Sequence, residues 1–342
     1  MEISGTILYG DQMEPIEGTV IVNDGRIEAV REESVDSTDI VHPAFVNAHT
    51  HIADSIAKEA GRGLSVKEVV EPPDGLKHRI LADATRDELA RAMRNTAEYM
   101  ARSGTGLFAD FRENGVSGVE ALRTATEPVA IESFVLGRGE TTVLPVADGY
   151  GASVVGYRDF EPARAAANEA EKPFGIHAGE RNANDIDDAL ALRPDFLVHM
   201  VHARPRDLRT LADEEIPVVV CPRSNLTTDT GIPPVEELVD TTSVALGTDN
   251  VMLNSASMWR EMEFTSKLYD VTDTDVLRMA TVNGARLLGR DDIGSIEEGK
   301  RARLVVLDTD RKLRGTRDPV ASVVRRAGSV DITEVIFDGE SL

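Results

Sequence analysis

Two histidines separated by one residue, His49 and His51, end an apolar, strand-like run of the sequence. Side chains two residues apart in a strand project from the same face. Two imidazoles at one strand end form half of a metal site, because neutral imidazole nitrogens are common ligands of Zn²⁺. Taken alone, the pair is better explained as two hydrogen-bonded polar residues, so its meaning depends on what lies beside it.

Three more chemically capable residues end later strand-like runs of the chain: His177, His199 and Asp249. His177 would add a third imidazole. A carboxylate such as Asp249 is costly to bury at a strand end unless it is paired or binds a metal. Glu180 would reach over the site from the loop after His177 and could move a proton. In so acidic a chain, an ordinary surface carboxylate is the alternative for Glu180.

The middle of the chain has the pattern of a scaffold that gathers strand ends. Strand-like runs end near residues 49, 110, 136, 155, 177, 199, 221 and 249, and helical patterns separate many of them. Eight strands alternating with helices over about 250 residues are typical of a (β/α)₈ barrel, whose active site lies at the C-terminal strand ends. We therefore predict an α/β fold with a (β/α)₈ barrel over residues 42–293. The short, Gly-rich connection 137–151 predicts a missing or stunted helix.

Both ends of the chain have a different pattern, with short strand-like runs and turn signals. The runs cover residues 3–9, 18–23 and 26–30 at one end and 302–308, 320–324 and 334–339 at the other. Each end alone is too short to bury a core. We expect the two ends, residues 1–41 and 294–342, to join in one small β-sandwich.

Composition excludes several classes of protein. Sixty acidic and 37 basic residues give a net charge of −23, which leaves no excess cations for nucleic-acid phosphates or an anionic membrane. No apolar run reaches the roughly 18 residues of a membrane span, and the N-terminus lacks signal-peptide features. The single cysteine, Cys221, rules out an internal disulfide. We expect a cytoplasmic protein, and the diffuse acidity with only seven lysines favours a halophilic source.

Together, these motifs resemble the amidohydrolase superfamily, in the branch that holds chlorohydrolases and the cytosine, guanine and S-adenosylhomocysteine deaminases. The resemblance covers nearly the whole chain. The segments that carry it are 43–51, 177–180, 198–199, 221–225, 247–249, 281–289, 293–300 and 304–308.

The resemblance implies a metal site and a set of roles. One divalent metal would be held by four residues: His49, His51, His177 and Asp249. Zn²⁺ is favoured, and Fe²⁺ and Mn²⁺ suit the same donors. Glu180 would transfer protons, His199 would hydrogen-bond the attacking hydroxide or the developing oxyanion, and Asp249 would also take the water proton.

The positions of the lysines indicate whether the site could hold one metal or two. Two-metal relatives often bridge the pair with a Lys of the fourth strand, and this chain has no Lys between Lys77 and Lys172. A lysine-bridged pair is therefore disfavoured. A pair bridged by Glu113 or Glu140 is left open, because both lie near barrel strand ends.

By the same resemblance, the protein is a hydrolase that attacks a C–N bond with a metal-bound hydroxide. We expect it to deaminate an amino-substituted N-heterocycle of the purine, pyrimidine or triazine type. The alternatives are a cyclic amide hydrolase or chlorohydrolase on the same metal site, and a non-catalytic metal-binding barrel. We expect a small-molecule substrate, with no nucleic-acid or membrane partner, and leave a homo-oligomer open. The candidate substrate contacts are Asp74, Lys77, His78, Arg112, Arg138 and Asn225.

Overall fold

The computed structural model of the protein describes residues 1–61, 63–70, 75–156 and 158–342. Its strands form two sheets, one of seven strands and one of nine. In chain order they are β1 (Glu2–Tyr9), β2 (Glu14–Asn23), β3 (Arg26–Glu32), β4 (Ile40–Pro43), β5 (Phe45–His51), β6 (Thr105–Arg112), β7 (Glu132–Gly137), β8 (Gly149–Ala152), β9 (Phe174–Ala178), β10 (Phe196–His199), β11 (Val218–Val220), β12 (Val244–Leu246), β13 (Asp249–Asn250), β14 (Arg303–Leu307), β15 (Ile332–Phe337) and β16 (Glu340–Ser341).

Helices separate most of the strands of the larger sheet. They are α1 (Val66–Val70), α2 (Leu76–Asp83), α3 (Arg86–Arg102), α4 (Gly115–Thr126), α5 (Glu161–Glu169), α6 (Ile186–Ala191), α7 (Pro205–Asp213), α8 (Pro222–Thr227), α9 (Val235–Val239), α10 (Met258–Leu268), α11 (Asp273–Met279), α12 (Val282–Leu287) and α13 (Pro319–Arg325). No helix in the described part of the chain is long and apolar enough to cross a membrane.

The nine-stranded sheet is parallel throughout and follows the order β12-β11-β10-β9-β8-β7-β6-β5-β13. Only Gly247 and Thr248 separate β12 from β13, yet β12 pairs with β11 and β13 pairs with β5. The sheet therefore closes on itself, as in a (β/α)₈ barrel. A side chain at Gly247 would place its Cβ 2.7 Å from that of His49, so the closure needs glycine there.

The barrel helices begin and pack as their sequences predict. Helix α3 begins with a capping box in which Thr85 and Glu88 each bond the other's backbone N–H. Its Met93, Ala97 and Met100 recur at helical spacing and are buried. Between β7 and β8 there is only a 3₁₀ turn at Thr141–Val143, so the prediction of a stunted helix is confirmed.

The seven-stranded sheet joins the two ends of the chain in the order β16-β15-β14-β4-β1-β2-β3. Strand β4 lies at the junction, parallel to β1 and antiparallel to β14. Apolar side chains of both ends, including Ile7, Leu304 and Ile336, form one buried cluster. The expected meeting of the two ends thus takes the form of a single shared sheet.

One element of the C-terminal region was predicted wrongly. Residues 320–324 were expected to form a strand, and they belong to helix α13. Asp318 caps this helix by accepting the N–H of Ala321 at 2.9 Å, and Pro319 takes the first helical position, where its missing N–H costs nothing. These start signals outweigh the β-propensity of the three valines.

Candidate active site

The barrel brings the predicted chemical residues to one place at the C-terminal ends of its strands. His49 and His51 lie on β5, His177 on β9, His199 at the end of β10 and Asp249 on β13. All five are buried, with exposed fractions between 0% and 7%. Residues that are 200 positions apart in sequence are thereby in contact, because β13 pairs directly with β5.

The donor atoms are spaced as ligands of a single ion would be. Asp249 Oδ1 lies 3.2 Å from His49 Nε2 and 3.6 Å from His51 Nε2. Two atoms bound tetrahedrally to Zn²⁺ at the usual lengths lie about 3.4 Å apart. Ligand atoms of His49, His177 and His199 also fall within 4.8 Å of one another. The arrangement fits a divalent metal.

Backbone carbonyls fix the direction of two imidazoles. Nδ1 of His51 lies 3.1 Å from the carbonyl oxygen of Phe111, and Nδ1 of His177 lies 2.8 Å from that of Ala152. A carbonyl only accepts hydrogen bonds, so each Nδ1 carries the proton. Each Nε2 then presents a lone pair to the site, which is the tautomer that a metal requires.

His199 has the opposite arrangement. Its Nδ1 accepts from Nδ2 of Asn225 at 3.2 Å, so in the neutral ring the proton lies on Nε2. Nε2 thus offers a hydrogen-bond donor to the site rather than a lone pair. The backbone of His199 has φ +82°, and that of Asp249 has φ +55°. Non-glycine residues adopt this left-handed region at a cost and are concentrated at functional sites.

Burial keeps the imidazoles neutral. It lowers the pKa of His49, lowers the pKa of His177 well below its ordinary value and lowers that of His51 to about 3. Burial alone would raise the pKa of Asp249, but its hydrogen bond and attraction to His49 hold it well below the usual range. Three neutral imidazoles and one carboxylate form a donor set with a charge of −1, which suits a divalent cation.

Glu180 lies beside this cluster, close to His199. Its Oε2 is 3.9 Å from Nε2 of His199, at the start of the loop after β9. Burial raises the pKa of Glu180, and the nearby charge of Asp249 adds to the effect. A carboxyl group with a raised pKa holds its proton more readily than an ordinary glutamate, which suits a group that transfers protons.

An open cleft leads to the cluster. Glu180, His199 and Asp249 line it, as do three of the predicted substrate contacts: Lys77, His78 and Arg138. Arg112 and Asn225 do not line it, since Arg112 is turned to Glu113 and Asn225 to His199. Asp74 lies outside the described residues. Val70, Val154 and Leu253 add apolar walls.

Sequence reasoning missed a buried ionic cluster on the His51 side of the site. Glu113 Oε1 lies 2.7 Å from Lys77 Nζ, 3.2 Å from Arg138 and 3.3 Å from Nδ1 of His51. Its other oxygen lies 2.5 Å from Arg112. Lys77 also pairs with Asp54 at 2.8 Å. Glu113 could bridge a second metal only by giving up these cations, and Glu140 is 82% exposed and paired with Arg158.

Ser224 was also missed, although it lies in a segment that the sequence singled out. Its Oγ donates to Oδ2 of Asp249 at 2.5 Å, which leaves Oδ1 facing His49 and His51. The signal in the sequence was position: Ser224 lies a few residues beyond the end of a strand.

The closed parallel barrel and its strand-end cluster of histidines and aspartate define a class of hydrolases that act on carbon–nitrogen bonds other than peptide bonds. A family model described as "Amidohydrolase family" matches residues 40–172 and 160–342, and the chain belongs to this family.

Individual proteins are similar over almost the full length. An uncharacterized protein of Methanocaldococcus jannaschii is 34% identical, with 97% of this chain and 96% of that protein covered. A 5-methylthioadenosine/S-adenosylhomocysteine deaminase of Thermococcus onnurineus is 26% identical, with 99% and 92% covered. The crystal structure of the atrazine chlorohydrolase TrzN from Arthrobacter aurescens, complexed with zinc, superposes with a TM-score of 0.83 at 19% identity over 100% of this chain and 94% of that one.

Proposed function

We propose that the protein is a metal-dependent deaminase of amino-substituted N-heterocycles. The observation that carries the proposal is that strand-end histidines and Asp249, which cluster closely enough to hold a metal, adjoin the cleft that Glu180 lines, where burial raises the pKa of Glu180. The similarity to a deaminase of a purine nucleoside points to the same reaction class.

We propose that His49, His51, His177 and Asp249 hold the metal, with Zn²⁺ favoured by the donor set. A bound divalent ion would lower the pKa of water towards neutrality and so supply a nucleophile. Ser224 restrains Asp249 by a hydrogen bond to Oδ2, and the carbonyls of Phe111 and Ala152 orient His51 and His177.

The remaining side chains would handle protons and charge. Glu180 is suited to deliver a proton to the ring nitrogen of the heterocycle, because burial raises its pKa. His199, with its proton on Nε2, is suited to donate a hydrogen bond to oxygen as negative charge develops there. Proton delivery to the ring and then to the amine allows ammonia to leave.

The cleft suggests a substrate with polar and apolar parts. The cationic side chains of Arg138 and Lys77 line it together with the apolar Leu253 and Val154, so we propose that the cations contact polar substituents of the heterocycle. His78 and Asp74 stay as predicted substrate contacts.

Other expectations from the sequence also stay as proposals. These are a composite β-sandwich of residues 1–41 and 294–342, a barrel of residues 42–293, a cytoplasmic location and a halophilic source.

Ammonia release tests the function. The zinc-loaded protein is incubated with a panel of aminopurines, aminopyrimidines and aminotriazines, together with lactams and a chlorotriazine. We expect ammonia from at least one aminoheterocycle. Opening of a lactam or release of chloride, with no ammonia from any heterocycle, would overturn the deaminase proposal in favour of an alternative on the same site.

A pair of histidine variants tests the site itself. His177→Ala removes a candidate ligand, and His202→Ala removes a histidine three residues beyond β10 that is not part of the donor set. We expect His177→Ala to lose its metal and its turnover, and His202→Ala to keep the metal. Full metal content in His177→Ala, measured by elemental analysis, would contradict the assignment.

A further inference from the structure

The first turn of helix α8 touches two of the proposed catalytic residues at once. Ser224 donates to Oδ2 of Asp249, and its neighbour Asn225 donates to Nδ1 of His199. The first bond selects which oxygen of Asp249 faces the histidines. The second selects which nitrogen of His199 carries the proton. A rotation of this one turn would therefore disturb both residues together.

A buried ion pair holds this turn from behind. Nη1 of Arg223 lies 3.1 Å from Oε2 of Glu261, and the backbone N–H of Arg223 donates to Oε1 at 3.1 Å. The Glu261 side chain is 0% exposed and that of Arg223 is 10% exposed. Glu261 belongs to α10, which packs on α8. One carboxylate thus fixes both the side chain and the backbone of the residue that precedes Ser224.

The same guanidinium reaches the segment that follows Asp249. Nη1 of Arg223 donates to the carbonyl oxygens of Ser255 and Ser257, each at 3.4 Å, and Nη2 donates to Oδ1 of Asn254 at 3.4 Å. Arg223 therefore ties three parts of the rim together: the first turn of α8, the start of α10 and the segment after β13.

Stability alone does not account for such a pair. Taking two charges out of water costs several kcal/mol per ion, and an apolar pair of similar volume often stabilises a fold as well or better. What an arginine fork adds is a fixed geometry, because its donors are planar and directed. That geometry leads to Asp249 and His199 through Ser224 and Asn225.

We propose that Arg223 and Glu261 are positioning residues, which act through Ser224 and Asn225 to set the ligand oxygen of Asp249 and the tautomer of His199. This inference rests on the proposed function for the roles of Asp249 and His199. Neither residue of the pair lines the cleft, so neither acts on the substrate directly.

A double-mutant cycle on zinc affinity tests whether Glu261 acts on Asp249 through Ser224. Ser224→Ala, Glu261→Gln and the double variant are compared by competition with a chromogenic chelator, which needs no substrate. Since loss of a group that orients a metal ligand typically costs about 10–100-fold in affinity, we expect a loss in that range for Ser224→Ala and a smaller one for Glu261→Gln. The double variant should lose no more than Ser224→Ala alone, because the pair acts through the serine.

Turnover measurements test whether Glu261 acts on His199 through Asn225. Glu261→Gln should lower kcat with little change in KM, and this loss should shrink in an Asn225→Ala background. Asp338→Asn provides a matched control, since it weakens the ion pair of another buried arginine, Arg303, in the seven-stranded sheet. We expect this control to lower the melting temperature and to leave zinc affinity and kcat unchanged.

The outcomes separate clearly. Losses that multiply in the double variants, or a Glu261→Gln protein that melts lower but keeps its zinc affinity and kcat, overturn the positioning role. If Glu261→Gln does not fold, Arg223→Lys keeps the charge while removing the fork, and it should lose zinc affinity at a near-normal melting temperature. If no heterocycle is turned over, the proposed function fails, while the zinc cycle still decides the inference.

Discussion

Two partly buried glutamates, Glu113 and Glu180, flank the histidine cluster, and their neighbours differ. Glu113 lies 3.3 Å from His51 and Glu180 lies 3.9 Å from His199, with side-chain exposures of 11% and 14%. Burial tends to raise the pKa of both. At Glu113 the charges of Lys77 and Arg112 reverse this effect and hold the pKa well below its usual range, whereas the pKa of Glu180 stays raised.

The difference shows that neighbouring charges, and not residue type or degree of burial, decide whether the pKa of such a carboxylate is raised or lowered. Glu113 is locked as an anion by three cations, so it can organise charge but cannot carry a proton at neutral pH. Glu180 faces the imidazole of His199 instead, and burial leaves its pKa raised. The two sides of the site therefore divide structural and chemical work between them.

Glu180→Gln is expected to have the largest effect. Removing a general acid–base group typically costs about 10²–10⁴-fold in rate, so kcat should fall by that much while the metal content stays at the wild-type level. Glu140→Gln is the matched control, since Glu140 lies on the same rim but is 82% exposed. Unchanged turnover in Glu180→Gln, measured by ammonia release, would remove Glu180 from the mechanism.

Glu113→Gln should have the opposite effect to Glu180→Gln: it should lower stability more than turnover. Removing one partner of a buried ion pair typically costs about 3–5 kcal/mol of stability, and here Lys77, Arg112 and Arg138 lose their shared anion. We expect a large fall in the free energy of unfolding and a loss of kcat much smaller than that of Glu180→Gln. Urea titration and steady-state kinetics on the folded variant measure both. A stable Glu113→Gln protein with no turnover would show that the two glutamates share the chemistry.

Asp54→Asn is expected to have the smallest effect on turnover and to reveal itself in the pH dependence of stability. Burial raises the pKa of Asp54 to about 7, against 3.8 for an ordinary aspartate, although Lys77 opposes the shift. The folded state then binds a proton that the unfolded state has released, so this group's contribution to stability falls as pH rises from about 4 to about 7. Asparagine does not titrate. The unfolding free energy of the wild type, relative to Asp54→Asn, should decline across that range and level off above it. A difference that is constant with pH would place the Asp54 pKa near its ordinary value.

The sequence predicted the elements that local pattern controls. Strand periodicity placed His49 and His51 on one face, and the regular alternation of strands and helices placed His177, His199 and Asp249 at the same end of one barrel. The strand predicted at 320–324 was wrong because the cap at Asp318 outweighed the propensity of the valines. These outcomes depend on neighbours within a few residues.

Contacts between distant residues set the rest. Nothing local indicates that Lys77 turns to Asp54 and Glu113, because that pairing depends on how α2 docks against the strand ends. The bond from Ser224 to Asp249 joins helix α8 to strand β13, whose residues lie 25 positions apart in the sequence. The side chains that orient the site were therefore harder to find than those that make it up.

The place of β4 in the seven-stranded sheet has a consequence for biosynthesis. β4 ends at Pro43, and its partner β14 starts only at Arg303. At typical translation speeds of 5–20 residues per second, the ribosome needs roughly 15–50 seconds to make the chain between them. Throughout that interval one edge of β4 has no strand to pair with, and open edges of this kind recruit other chains. The nascent protein is thus exposed to aggregation until synthesis reaches roughly the last eighth of the chain, residues 303–342. A chaperone that covers the N-terminal hairpin would raise its yield.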